Sequence, residues 1–98
     1  MRVTEARVTP LREPKGGTVA YARITIDEAF VVRDLRVVEG KKGLFVAMPQ
    51  RKGKGDEYQD IAFPITREAR EAIQEAVLAA YESPDGKWVN DEDDGWGF

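Results

Sequence analysis

Residues 18–26 alternate without a break: Ala20, Ala22, Ile24 and Ile26 fall on one side of an extended backbone, and Val19, Tyr21, Arg23 and Thr25 on the other. A side-chain period of two belongs to a strand with one buried face, because successive side chains of a strand point to opposite sides of the pleat. The chain is thereby committed to a sheet with a defined inside. The alanines on that inner side are small enough to let another element pack closely.

The flanking stretches extend the sheet. Residues 2–9 alternate polar with small or β-branched side chains and predict an edge strand that Pro10 ends, and LREPKGG at 11–17, punctuated by Pro14, Gly16 and Gly17, predicts a loop. Asp27-Glu28 predicts a short hairpin connection without the Asn-Gly pair that marks such turns most strongly. Residues 29–38 are the longest strand candidate, and their apolar phase moves from Phe30 and Val32 to Leu35 and Val37, which predicts a bulge or strong twist. A glycine-bracketed hairpin loop at 39–43 leads into the apolar run 44–48, closed by Pro49. Short links between successive strands imply a mainly antiparallel meander.

The next segment, Gln50-Arg51-Lys52-Gly53-Lys54, carries three cations and, with Gly55, two glycines. It predicts a flexible basic finger between stiff elements, the second being a strand at 58–63 closed by Pro64. Thr66 is placed to cap a helix, with Glu68 near its positive end. Ala69, Ile73, Ala76, Val77, Ala80 and Tyr81 then recur at three- and four-residue spacing, and Pro84 stops the helix by Glu82. The fold class is α+β, a curved antiparallel β-sheet of four to five strands with one main C-terminal α-helix packed on it. Residues 1–82 make the domain. Residues 83–98 are an acidic tail, disordered by default, with Trp88, Trp96 and Phe98 as anchors able to dock.

Composition narrows the chemistry. Ninety-eight residues suit one domain, and the absence of cysteine and histidine excludes disulfides, thiol nucleophiles, cysteine-ligated metals and the side chain most used for proton transfer near neutral pH. An enzyme is not expected, and no catalytic residue, cofactor, metal ligand or small-molecule substrate is assigned. No apolar run approaches the ~20 residues of a membrane span, and no signal-peptide core is visible, so a cytoplasmic protein without a membrane partner is expected. The net charge of −3 conceals an uneven distribution, with six acids against one base in residues 82–98 and an excess of two cations in residues 1–81. Between Glu39 and Asp56 stand five bases, Lys41, Lys42, Arg51, Lys52 and Lys54, and no acid. Such a local patch, rather than net charge, governs attraction to phosphates within a Debye length of ~8–10 Å.

The candidate site follows from that patch. Arg51, Lys52 and Lys54 suit phosphate contacts, against the plain alternative of a solvated hairpin loop. Arg67 and Arg70 open the helix, where amide groups already favour phosphate. Asp34 and Asp60 are read as ion-pair partners of Arg33 or Arg36 in preference to an acid–base pair. Tyr21, Tyr58 and Phe63 are read as core aromatics, with stacking on unpaired bases as the alternative. The acids at 91–94 lack the fixed geometry of a cation site, and suit a solvated tail that competes with nucleic acid for the basic patch.

Several segments carry a family resemblance: VTEARV at 3–8, ITIDEAFVVRDLRVVEG at 24–40, GLFVAMP at 43–49, DIA at 60–62 with Pro64-Ile65, and residues 73–81. Together they resemble the SpoVG family of bacterial septation and sporulation regulators across residues 1–81. The resemblance implies a small cytoplasmic homodimer that binds DNA, and in some members RNA, to regulate gene expression. It also implies that Arg51 and Lys52 match the family's basic pair, with Arg67 and Arg70 nearby. Gln50, Gln59 and Phe63 depart from the serine, arginine and histidine usual there. The function expected is site-selective nucleic-acid binding in gene regulation by a dimer that joins through a sheet edge or helix face. The alternative is a protein-interaction adaptor at the division machinery.

Overall fold

The alternation of residues 18–26 becomes the central strand of the molecule. The structure, a computed structural model, describes residues 1–90. Its elements are β1 (Val3–Lys15), β2 (Thr18–Ile26), β3 (Phe30–Gly40), β4 (Gly43–Ala47), β5 (Gln50–Lys52), β6 (Tyr58–Asp60), α1 (Arg67–Glu82) and β7 (Lys87–Val89). Five strands form a curled antiparallel sheet in the order β4-β3-β2-β1-β7, and β5 and β6 pair as a separate ribbon. The single helix packs on one face of the sheet, so the architecture is the α+β one expected. No helix of the described residues is long and apolar enough to cross a membrane.

Small residues bring the two layers together. Ala6, Ala20 and Ala22 on the sheet and Ala76 and Ala80 on the helix are all 6% exposed or less, so the backbones approach closely. Leu35, Val37, Ile24 and Val77 fill the space between, each fully buried aliphatic side chain stabilising the fold by roughly 1.5–3 kcal/mol. Thr66 caps α1 as its sequence predicts, its Oγ1 accepting from the Ala69 amide at 3.1 Å, and the helix ends at Glu82 with Ser83 as its C-cap.

The phase change in β3 is a bulge. Ala22 pairs with Leu35 and Ile24 with Val32, so Arg33 and Asp34 together oppose Arg23, and Asp34 takes a φ of +66°. The Asp27-Glu28 connection is a two-residue turn with φ of +53° and +55°, closed by an Ala29 amide to Ile26 carbonyl bond of 2.9 Å. Two non-glycine residues in the left-handed region are unfavourable, and the N-terminus offsets this. The Arg2 amide donates to Asp27 Oδ1 at 3.0 Å, the Asp27 amide to the Arg2 carbonyl at 2.8 Å and the Glu28 amide to Thr4 Oγ1 at 3.1 Å.

Three readings need correction. Pro10 does not end β1, which continues to Lys15 and is, at 13 residues, longer than the 11-residue β3. The Val8 amide points away from β2 to the Gly86 carbonyl, so Pro10, two residues on, turns its missing donor to the same outer side, where β7 no longer pairs. The loop expected at 11–17 shrinks to Gly16-Gly17, whose φ values of +58° and +88° suit glycine. Second, the strand expected at 58–63 is only Tyr58–Asp60. Third, Lys87–Val89 is not an irregular tail but a strand on β1, with Trp88 half-buried against the core. Trp96, Phe98 and the acids at 91–94 lie outside the described residues.

Candidate nucleic-acid interface

The basic segment is more ordered than a finger. Gln50, Arg51 and Lys52 are strand β5, paired with Asp60, Gln59 and Tyr58 respectively, and the Gly53 amide closes the turn on the Glu57 carbonyl at 2.8 Å. The base of the ribbon is tied to the main sheet through one side-chain chain: Arg36 Nη2 donates to Gln50 Oε1 at 3.1 Å, and Gln50 Nε2 donates to Asp60 Oδ1 at 2.9 Å. Arg36 Nη1 also donates to Thr18 Oγ1 at 3.1 Å, so the guanidinium is fixed at both ends of its fork. Gln50 is a working part of this clamp, whereas sequence reading placed it in a flexible basic finger and noted it as a departure from a family pattern. Asp60 therefore meets Gln50 rather than the arginine expected as its partner.

Register separates the cations. Neighbouring strand residues point to opposite faces, so Arg51 lies with Gln59 on one face of the ribbon, and Lys52 lies with Tyr58 on the other. Lys54 sits in the turn, and all three cations are exposed. None makes an ion pair with a described carboxylate, although the ribbon also carries Asp56, Glu57 and Asp60. Arg67 and Arg70 are exposed on the first turns of α1, one turn apart on the same side. No extensive packing joins the ribbon to the helix.

The aromatics read as core are exposed: Tyr21 is 46%, Tyr58 62% and Phe63 59% accessible. Tyr21 stands on the sheet face opposite α1, which its alternation with Ala20 and Ala22 made legible. Tyr58 is exposed because β6 belongs to the ribbon, not to the main sheet, and Phe63 lies beyond β6 on the way to the helix. Ile61 and Ile65, also exposed, continue an apolar run between ribbon and helix.

The open face of the sheet carries a second basic group that sequence reading missed. Arg7, Thr9, Tyr21, Arg23, Arg33 and Asp34 line a shallow cleft of about 350 Å³ there. Arg7 Nε donates to Glu5 Oε2 at 2.6 Å, and this bond, the Arg7 charge and the charges of Lys87 and Arg23 hold the Glu5 carboxyl below its ordinary pKa against the opposing effect of partial burial.

Comparison with known proteins places this architecture in a group. Residues 1–83 match the SpoVG family model. A Lachnospira eligens protein provisionally named septation protein SpoVG is 49% identical over 82 residues, covering 84% of this chain and 92% of the relative. The similarly named Bdellovibrio bacteriovorus protein is 48% identical, over 84% of this chain and 74% of its own. A Listeria monocytogenes relative, SpoVG 2, is 51% identical over 84% of this chain and 79% of its own.

Proposed function

The chain belongs to the SpoVG family, and from that membership together with the ribbon geometry we propose that it is a dimeric, site-selective DNA-binding regulator of gene expression, able to take RNA, linked to septation and sporulation. The observation that supports this reading is the projecting ribbon, whose Arg51, Lys52 and Lys54 are exposed and unpaired with described carboxylates while its base is clamped through Arg36 and Gln50. Cations held ready but not neutralised gain most from displacing the counterions of a phosphate chain. The ribbon faces contact the backbone, and Arg67 and Arg70 set register or reach base edges from the helix start.

Replacing Arg51, Lys52 and Lys54 together with alanine is expected to weaken duplex DNA binding by orders of magnitude at low salt. The slope of log affinity against log salt should fall by about 2.7, at roughly 0.9 per lost phosphate contact. The thermal midpoint should hardly move, since none of the three side chains is buried. Equal affinity of parent and variant across a salt titration would remove the proposal. The exposed Ile61, Phe63 and Ile65 favour one other reading, an adaptor of the division machinery. A purified chain with no affinity for DNA or RNA that still binds a division protein after nuclease treatment would establish that reading instead.

A further inference from the structure

We propose that the open face of the main sheet is a second nucleic-acid surface, one that takes an unpaired strand whose phosphates follow Lys87, Arg7, Arg23 and Arg33 and whose base stacks on Tyr21. The strand register carries the inference. Arg7 is the direct partner of Lys87 on one side and of Arg23 on the other, and Arg23 faces the β3 bulge that holds Arg33. Residues directly opposite one another in a sheet project from the same face. Four cations from four adjacent strands therefore form one row across the sheet, about 14 Å long at ~4.8 Å per strand.

Such a row is unfavourable in the free protein, because like charges placed directly opposite repel. Glu5 offsets Arg7, and Asp34 lies in the cleft, which leaves the group two positive charges in excess. The side chains of Arg23 and Arg33 are neither hydrogen-bonded nor ion-paired to a described residue. A compact anion is best held by converging donors, whereas a line of donors fits a linear polyanion. Tyr21, Thr9 and Arg36 form the next row on the same face, with Tyr21 paired to both of the others. An exposed ring on a sheet offers its face to an unstacked base, which a duplex does not present. Arg36 also anchors the ribbon, so this face continues toward the interface proposed above.

The surface shares its ligand class with the ribbon reading but none of its residues, so either fails alone. The test measures binding of labelled oligothymidylate and oligouridylate of about 12 nucleotides, a length within the range of single-strand sites, beside a duplex. The proteins are the parent, the double variant Arg23→Gln with Arg33→Gln, Tyr21→Ser, and the ribbon triple-alanine variant. The double variant is expected to lose about tenfold in single-strand affinity and about 1.4 in salt slope, at roughly 0.7 per phosphate, with duplex affinity unchanged. Tyr21→Ser is expected to lose about tenfold without a change of slope. Lysines in place of Arg23 and Arg33 should restore the slope, and the thermal midpoint of the glutamine double variant should stay level or rise as repulsion is relieved. Single-strand affinity that is absent in the parent, or unaltered in the double variant, overturns the proposal and leaves the ribbon to be judged on the duplex alone.

Discussion

Glu5 sits among more cations than it neutralises, and its behaviour follows from that crowding. The carboxylate accepts from Arg7 and lies in the field of Lys87 and Arg23, so its folded-state pKa falls below the ordinary 4.5. A depressed carboxyl pKa stabilises the fold above the unfolded value, and that stability is lost as pH drops through the folded value. Glu5→Gln should therefore lower stability at neutral pH by about 0.5 kcal/mol, as expected for a partly exposed ion pair, and by progressively less as pH falls below 4.5. Parallel thermal melts from about pH 7 to pH 3 check this, and a stability gap that persists once Glu5 is protonated would assign the effect to packing. Tyr21 is legible at the same scale. Its alternation with two buried alanines already put it on the outer face, and the general tendency of aromatics to be core misled where the local period did not.

Elements follow the same rule: regular period is readable, and compensation from elsewhere in the chain is not. β2, the β3 bulge and α1 follow from alternation, phase and capping. The extension of β1 through Pro10 depends on an outer edge left unpaired beyond β7, and the ribbon depends on cross-pairing of two three-residue strands. β7 is the clearest case, since three residues carry too little pattern to predict a strand. Its position is fixed by Gly86, whose φ is +66°, whose carbonyl accepts from the Val8 amide at 2.8 Å, and where an added Cβ would stand 2.5 Å from the Val8 carbonyl oxygen. Gly86→Ala should therefore separate the turn from β1 and release β7, at a cost of about 1–3 kcal/mol for strain and lost hydrogen bonding. Hydrogen exchange reads this directly. The Val8 amide should lose protection while amides in the middle of α1 keep theirs, and unchanged protection at Val8 would show that the turn adjusts.

At the scale of the whole molecule, what is decisive is how distant residues come into line. Residues 7, 23, 33 and 87 look unrelated in the sequence, and only the pairing of four strands makes them one row, which is why sequence reading found the contiguous cations of the ribbon and not these. The same sheet leaves β4 with one unpaired edge, and its residues Gly43–Ala47 include no charged side chain to discourage pairing. The exposed face of α1 is rich in charge, so of the two routes to a dimer the β4 edge is the one its chemistry favours. Antiparallel pairing of two β4 strands about a two-fold axis would continue the sheet from copy to copy, keep both open faces on the same side, and set the central residue, Phe45, opposite its own copy. Phe45 is 44% exposed, so Phe45→Lys adds little strain to the monomer but opposes two like charges in such a dimer. Sedimentation should then give about twice 11.0 kDa for the parent and 11.0 kDa for the variant. The variant should also show a shallower salt dependence of nucleic-acid binding, because each particle presents half the cations. A parent at 11.0 kDa would remove the dimer, and a variant that keeps a doubled parent mass would place the contact elsewhere, and with it the side on which two copies offer their charge.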